Sequence, residues 1–212
     1  MNVFKIEVMR KGQVKTNDVP FYFGKITIKD LENKFRMSLE IKVFSWRITK
    51  YNPKNRNSRG IYLIDEWTSY SDIGKIINNQ EFTYKEYIET ENAYVVSIIL
   101  FMKCNDLETL KIKNLEKPLP LDLKDKFLSE KMKICFNVIR NSNDINKNEI
   151  DSICRLILRE KLWCKLESKD MFVHFGWDYY MYIGSMKRCE KCINEIQQLN
   201  LFVEQQESPY MK

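Results

Sequence analysis

Hydrophobic and polar residues alternate along much of the first half of the chain, as they do in strands with one buried face. Between residues 35 and 43 every second position is apolar, and the positions between carry charged or hydroxyl side chains. Because successive strand residues point to opposite faces of a sheet, this pattern predicts a half-buried strand that continues to Trp46. The segments 3–9, 19–28 and 60–67 are β-prone as well. The first half is therefore predicted to be mainly antiparallel sheet.

A continuous run rich in Val and Ile follows between positions 93 and 101. Its β-branched composition predicts a central strand that is buried on both faces. Shortly before this run, Thr83 and Glu86 have the spacing of a helix capping box, in which each side chain accepts a hydrogen bond from the backbone amide of the other residue. The pattern between residues 71 and 91 therefore leaves helix and strand open as alternatives.

The second half of the chain shows helical spacing first and strands afterwards. Apolar residues three or four positions apart predict a helix over residues 122–139 and a second helix that is capped by Asn143 or Asp144. The elements expected after these are strands over 171–175 and 179–183, a helix over 185–199 and a strand over 201–204. The predicted fold class is α+β, with an N-terminal, mainly antiparallel β region followed by a helical hairpin and a small sheet with helices on one face.

A short segment near the middle of the chain suggests a boundary. Residues 117–120 contain two prolines, which interrupt regular structure. The expected division is a β-rich N-terminal domain over residues 1–112 and an α+β C-terminal domain over residues 113–212. The alternative is that both regions pack as one unit.

Composition indicates a folded protein without membrane contact. Aromatic residues make up 13% of the chain, and 6 glycines and 5 prolines leave little material for flexible linkers. The longest apolar stretch, at positions 93–102, is far shorter than the roughly 20 residues that span a bilayer. The first residues alternate and are charged, unlike the continuous apolar core of a secretory signal. The expected location is the cytoplasm.

The charge pattern favours a solvated surface. The formal net charge is +6, from 35 Lys and Arg against 29 Asp and Glu, and the two signs are interleaved. The most basic segment is a loop around Tyr51 that contains Arg47, Lys50, Lys54, Arg56 and Arg59. Cations beside an aromatic ring suit single-stranded nucleic acid, but a solvated loop or contact with an acidic protein is favoured. Nucleic acid is therefore the less favoured partner.

The six cysteines are expected to be reduced, because the chain begins without a secretory signal. Cys189 and Cys192 have the spacing of half a zinc site or of a redox pair. A structural zinc needs four ligands, and no other Cys or His lies at a usual spacing, so adjacent core positions on a helix are favoured. Metal binding by this pair stays open. No cofactor is expected, because the chain lacks a Gly-rich phosphate loop.

The segment from Phe172 to Gly184 combines the only histidine of the chain with several aromatic residues. His174 and Asp178 would make an acid–base pair if they met. Residues four apart on an extended strand are about 13 Å from each other, so only a tight turn at Gly176 would join them. The favoured interpretation is an aromatic hairpin that presents Trp and Tyr side chains to a partner.

Two parts of the chain resemble proteins of bacterial toxin–immunity systems. One is similar to the opening of the immunity proteins of contact-dependent growth inhibition, and it comprises Val19–Ile28, Phe35–Glu40 and Trp46. The other is similar to the ends of uncharacterised bacterial proteins from the same polymorphic toxin systems, and it comprises His174–Ile183, Phe202–Glu204 and Ser208–Tyr210.

The resemblance implies a cytoplasmic, non-enzymatic immunity protein that binds and neutralises a toxin or effector domain. The expected contact residues are Trp177, Asp178, Tyr180 and Tyr182 on the hairpin, with Trp46 and Arg47 as a second patch. Two alternatives stay open. One is an enzyme that processes nucleic acid or nucleotides through His174 and Asp178, and the other is a phage-type inhibitor of a host defence complex. The identity of the partner and the oligomeric state do not follow from the sequence.

Overall fold

The computed structural model describes residues 7–10, 13–16 and 43–211. The two short ranges form an antiparallel pair, β1 (Glu7–Arg10) and β2 (Gln13–Thr16). The strand predicted over residues 19–28 and most of the strand predicted over residues 35–46 lie outside the described residues. The chain divides into two compact units, Met1–Ile41 and Lys42–Lys212.

The second unit is built on a seven-stranded sheet in which all neighbouring strands are antiparallel. From one edge to the other the strands are β11 (Phe202–Gln205), β3 (Phe44–Thr49), β10 (Met181–Ser185), β9 (Met171–Phe175), β8 (Trp163–Glu167), β6 (Thr109–Glu116) and β7 (Asp144–Asn146). A separate ribbon pairs β4 (Ile76–Ile77) with β5 (Gln80–Glu81).

Four α-helices of the described residues are interspersed among the strands without a regular strand–helix alternation. They are α1 (Tyr84–Cys104), α2 (Glu130–Val138), α3 (Lys147–Leu158) and α4 (Glu190–Gln198). The combination of these helices with an antiparallel sheet confirms the predicted α+β class. No helix in the described ranges is both long and apolar enough to cross a bilayer.

The strand predicted over residues 93–101 is wrong, because this run lies inside helix α1. The predicted capping box starts the helix: the Thr83 hydroxyl accepts from the Glu86 amide at 3.3 Å, and the Glu86 carboxylate accepts from the Thr83 amide at 2.8 Å. Tyr94, Ile98 and Phe101, spaced by four and three residues, are fully buried. Their helical spacing outweighs the β-branched composition of the run.

Other boundaries also differ from the prediction. No strand forms over residues 60–67, where the only ladder contact is an isolated bridge between Arg56 and Tyr62. The Asn57 side chain accepts from the amides of Arg59 and Ile61, which holds this segment as a loop. Helix α2 begins only after Ser129, and the cap of α3 is Asn146. Strands β6 and β8 were not predicted.

The predicted division between residues 112 and 113 falls inside strand β6, which pairs with β7 and β8. The sheet contains β3 from the predicted N-terminal region and β8 to β11 from the predicted C-terminal region. Residues 42–212 accordingly form one compact unit.

A row of apolar residues across the sheet supplies the centre of the core. Ile112, Leu166, Val173, Ile183 and Trp46 occupy paired positions on neighbouring strands and are buried together with the helix residues. Because strand residues alternate between faces, the next paired positions point away from this row. They carry His174, Tyr182, Arg47 and Glu204, so the opposite face of the sheet is polar and aromatic.

Candidate functional site

The turn between β9 and β10 has a defined geometry. The Gly176 amide donates to the Tyr180 carbonyl at 2.7 Å, and the Tyr180 amide donates to the Trp177 carbonyl at 3.1 Å. Asp178 and Tyr179 both have positive φ, at 52° and 61°. A two-residue turn with positive φ at both positions matches the twist of the strands that it joins. The aromatic hairpin is therefore confirmed as a structure, although β10 begins two residues later than predicted.

Tyr179 holds this turn against the rest of the molecule. A bulky side chain in the left-handed region costs about 1–2 kcal/mol, so the surrounding structure must compensate. The buried Tyr179 hydroxyl donates to the Leu158 carbonyl at 2.8 Å and contacts the Tyr87 hydroxyl at 3.0 Å. Burial raises the pKa of Tyr179 far above its ordinary value, so the hydroxyl keeps its proton. The Trp67 ring meets the Tyr179 ring edge-on, with ring centroids 4.9 Å apart.

Trp177 lies at the tip of this anchored turn and is 85% exposed. The neighbouring Asp178 is exposed as well. A cavity of about 100 Å³ opens beside them, and Ser69, Glu160 and Tyr179 contribute to its walls. An indole is a large apolar group, and such a group on a rigid support is typical of a binding anchor.

Tyr180 faces two arginines that share one carboxylate. The guanidinium carbons of Arg47 and Arg56 lie 5.2 Å and 5.9 Å from the centroid of the Tyr180 ring. Both arginines bind Glu204, at 2.9 Å and 2.8 Å. Burial raises the pKa of Glu204, but the hydrogen bonds from Arg56 and Arg47 outweigh it and hold this pKa below its usual range. Arg47 and Tyr180 are therefore parts of a structural cluster that is only partly accessible.

Most of the cations in the basic loop are paired with carboxylates. Lys50 binds Glu66 at 2.6 Å, and its ammonium lies 4.0 Å and 4.2 Å from the ring centroids of Tyr51 and Trp67. With Arg47 and Arg56 on Glu204, the exposed basic residues of this loop are Lys54 and Arg59. Two dispersed cations offer little attraction to a phosphate backbone.

Trp46 and Tyr182 were expected on the partner-binding surface, but both are buried, with 9% and 7% of their surface exposed. The Trp46 ring packs against Phe101 of α1, with ring centroids 5.3 Å apart. Tyr182 lies on the polar face of the sheet beside Tyr210, with the two ring centroids 6.1 Å apart. These placements correct the expectation for the two residues, because neither side chain is offered to a partner.

His174 is not paired with Asp178. Its Nδ1 lies 2.8 Å from the Ser208 hydroxyl, and its Nε2 lies 3.2 Å from a Glu167 carboxylate oxygen. His174 is only 2% exposed. Burial lowers its pKa, and the positive charge of Lys165 acts in the same direction, whereas Glu167 opposes them. Both ring nitrogens are therefore occupied by side chains of the protein, and Asp178 is not one of them.

A cleft of about 520 Å³ adjoins His174 on this face of the sheet. Its charged lining mixes both signs and comprises Lys113, Lys165, Lys169, Glu167 and Asp170. The Ser208 and Glu167 contacts were missed from the sequence. Ser208 lies in the C-terminal tail, and only the fold brings it to His174, so no local pattern could have revealed the contact.

The cysteines also differ from the expectation. Cys104 and Cys189 form a disulfide, so the prediction that all thiols are reduced is wrong for this pair. Cys135, Cys154, Cys164 and Cys192 are free thiols.

Comparison with protein-family models, curated proteins and solved structures finds no match for this chain. The function is therefore inferred from the chemistry of the described residues.

Proposed function

We propose that the protein acts by binding another protein, and that its partner is the toxin domain of a bacterial toxin–immunity pair. The observation that supports this proposal is the exposure of Trp177 on a turn that buried hydrogen bonds hold in place. A pre-organised anchor loses little conformational entropy on binding, so more of its contact energy appears as affinity. The resemblance of two segments to proteins of immunity systems points to the class of partner.

The charge around the anchor fits a basic partner even though the whole chain carries +6. Asp178 is exposed directly beside Trp177, and Glu160 lies on the wall of the adjacent cavity. Local complementarity governs the orientation and rate of association more than net charge does. A toxin domain with a cationic groove would place its apolar pocket over the indole and its cations near these carboxylates.

The test is co-purification of the full chain with the toxin domain encoded by the adjacent gene, followed by titration calorimetry. We expect Trp177→Ala to weaken binding about 30-fold or more, because hot-spot residues contribute about 2 kcal/mol or more. Ile134→Ala is the matched control, since Ile134 is a 62% exposed apolar residue on helix α2. This control should retain the affinity of the wild type.

Growth protection supplies an independent measurement. Cells that express the toxin domain should survive with the wild-type chain or Ile134→Ala, and they should lose protection with Trp177→Ala. The proposal fails if the wild type neither binds nor protects, or if Trp177→Ala is indistinguishable from Ile134→Ala in both assays.

A further inference from the structure

Three cysteine sulfurs meet where two helices approach each other. Cys104 is the last residue of α1, Cys189 is the residue just before α4, and Cys192 lies in the first turn of α4. Cys104 and Cys189 form the disulfide, with their Cα atoms 5.9 Å apart. The Sγ atoms of all three cysteines lie within 4.8 Å of one another. The free thiol of Cys192 is therefore next to an existing disulfide.

The C-x-x-C pair also lies where redox pairs are commonly found. Helix α4 begins later than predicted, so Cys189 is its N-cap and Cys192 is its third residue, shortly after strand β10. Cys192 is partly exposed, whereas the other free thiols, those of Cys135, Cys154 and Cys164, are buried. The interpretation of Cys189 and Cys192 as ordinary core positions on a helix therefore does not describe this arrangement.

The Cys192 thiol makes one hydrogen bond and lies near charged side chains of both signs. Its thiol donates to the Leu100 carbonyl at 3.3 Å. Burial raises the pKa of the Cys192 thiol, and the carboxylate of Glu195 raises it further, whereas the ammonium groups of Lys191 and Lys103 oppose this change. The start of α4 also favours negative charge. The net effect is a raised pKa, so the thiol is protonated at rest and its thiolate forms only as a minor species.

We propose that Cys104, Cys189 and Cys192 form a thiol–disulfide exchange site in which the disulfide moves between two pairings. The Cys192 thiol loses its proton to solvent, and its thiolate attacks Sγ of Cys189. A Cys189–Cys192 bond forms while the Cys104–Cys189 bond breaks, and Cys104 leaves as a thiolate that takes up a proton. The disulfide count is unchanged, so the step needs no oxidant or reductant.

The two pairings differ in what they connect. The Cys104–Cys189 bond joins the end of α1 to the start of α4 across 85 residues of sequence. The Cys189–Cys192 bond lies within the first turn of α4 and leaves α1 unlinked. Exchange therefore forms or breaks the covalent bond between α1 and α4. This property is independent of the partner proposed for Trp177.

Peptide mapping of the full chain can distinguish the pairings, because trypsin cleaves after Lys103, Arg188 and Lys191 and places each cysteine on its own peptide. The oxidised protein is incubated at pH 8 without added thiol, sampled over time, quenched with acid and alkylated before digestion. We expect the Cys104–Cys189 crosslink with alkylated Cys192, joined over time by the Cys189–Cys192 crosslink with alkylated Cys104.

Two variants provide the controls. Cys192→Ser should show only the Cys104–Cys189 crosslink at all times, and oxidised Cys104→Ser should form the Cys189–Cys192 crosslink. The proposal is overturned if the wild type keeps alkylation at Cys192 alone throughout the incubation. It is likewise overturned if the crosslink stays fixed while the reduced chain binds one Zn²⁺ that each cysteine variant loses, because the cluster would then be a metal site.

Discussion

At the scale of single residues, the feature that matters most is the pairing of an anchored tyrosine with an exposed tryptophan. Tyr179 keeps an unfavourable backbone conformation because its hydroxyl and ring have fixed partners inside the molecule. Trp177, two residues earlier, has most of its surface in solvent. The sequence located the aromatic hairpin, but which aromatic side chains point inward depends on the position of the turn. Strand β10 begins two residues later than predicted. A shift by two leaves each strand residue on the same face of the sheet, but it places Tyr179 in the turn rather than in the strand.

Removal of the Tyr179 hydroxyl should weaken this anchor. Tyr179→Phe leaves the Leu158 carbonyl without its buried donor, so we expect a loss of about 1–3 kcal/mol in the free energy of unfolding. Urea denaturation of the full chain measures it. Tyr210→Phe is the control, because the described residues provide no hydrogen bond for the Tyr210 hydroxyl, and it should change stability by less than about 0.5 kcal/mol. Equal stability of Tyr179→Phe and wild type would show that the turn does not depend on this contact.

At the scale of elements, helix α1 shows where sequence patterns succeed and where they fail. The capping box at Thr83 and Glu86 was recognised because it is a local motif with a fixed spacing. The run from 93 to 101 fails as a predicted strand because a short, continuous apolar run is equally typical of a buried strand and of a buried helix segment. Its β-branched composition favours the strand, but the run lies in the helix. Strand β6 pairs with β7 and β8, which both lie far along the chain, so no local pattern marks it. Strand β8 pairs with β6 and with its near neighbour β9, and its short mixed sequence carries no clear alternation.

A buried ion-pair network fixes α1 to α3. Glu91 of α1 is fully buried and binds Arg159 through two contacts of 2.7 Å and Arg155 through one of 2.6 Å. The Tyr87 hydroxyl also donates to Glu91 at 3.0 Å. Arg159 is itself buried, and this carboxylate compensates its positive charge. Such a network fixes the relative position of the two helices that flank Tyr179.

Loss of the carboxylate should therefore be severe. We expect Glu91→Ala to lower the free energy of unfolding by about 3–5 kcal/mol, because it leaves the guanidinium of Arg159 buried and unpaired. Glu89→Ala, at an exposed position of the same helix, should change it by less than about 0.5 kcal/mol. Chemical denaturation compares the two. A similar small effect of both substitutions would contradict a stabilising role for the network.

At the scale of the whole molecule, the unit comprising residues 42–212 depends on contacts between distant parts of the chain. The sheet places β3 between β10 and β11, so strands from the beginning and the end of this unit lie side by side. The Cys104–Cys189 bond adds a covalent link to the same arrangement. Sequence reasoning predicted the class of fold, whereas the strand order and the disulfide follow from tertiary proximity that one sequence does not reveal.

The free energy of unfolding should depend on reductant, and the size of this dependence should differ between the Cys104–Cys189 and the Cys189–Cys192 pairing. Closing a loop across 85 residues restricts the unfolded chain strongly, so reduction of the wild type should cost about 2–5 kcal/mol in unfolding free energy. Cys192→Ser retains only the long link and should show the same dependence. Cys104→Ser is restricted to the short link within α4, whose small loop constrains the unfolded chain much less, so reductant should hardly shift its urea midpoint. If the wild type and Cys104→Ser respond equally to reductant, the long crosslink does not stabilise the fold.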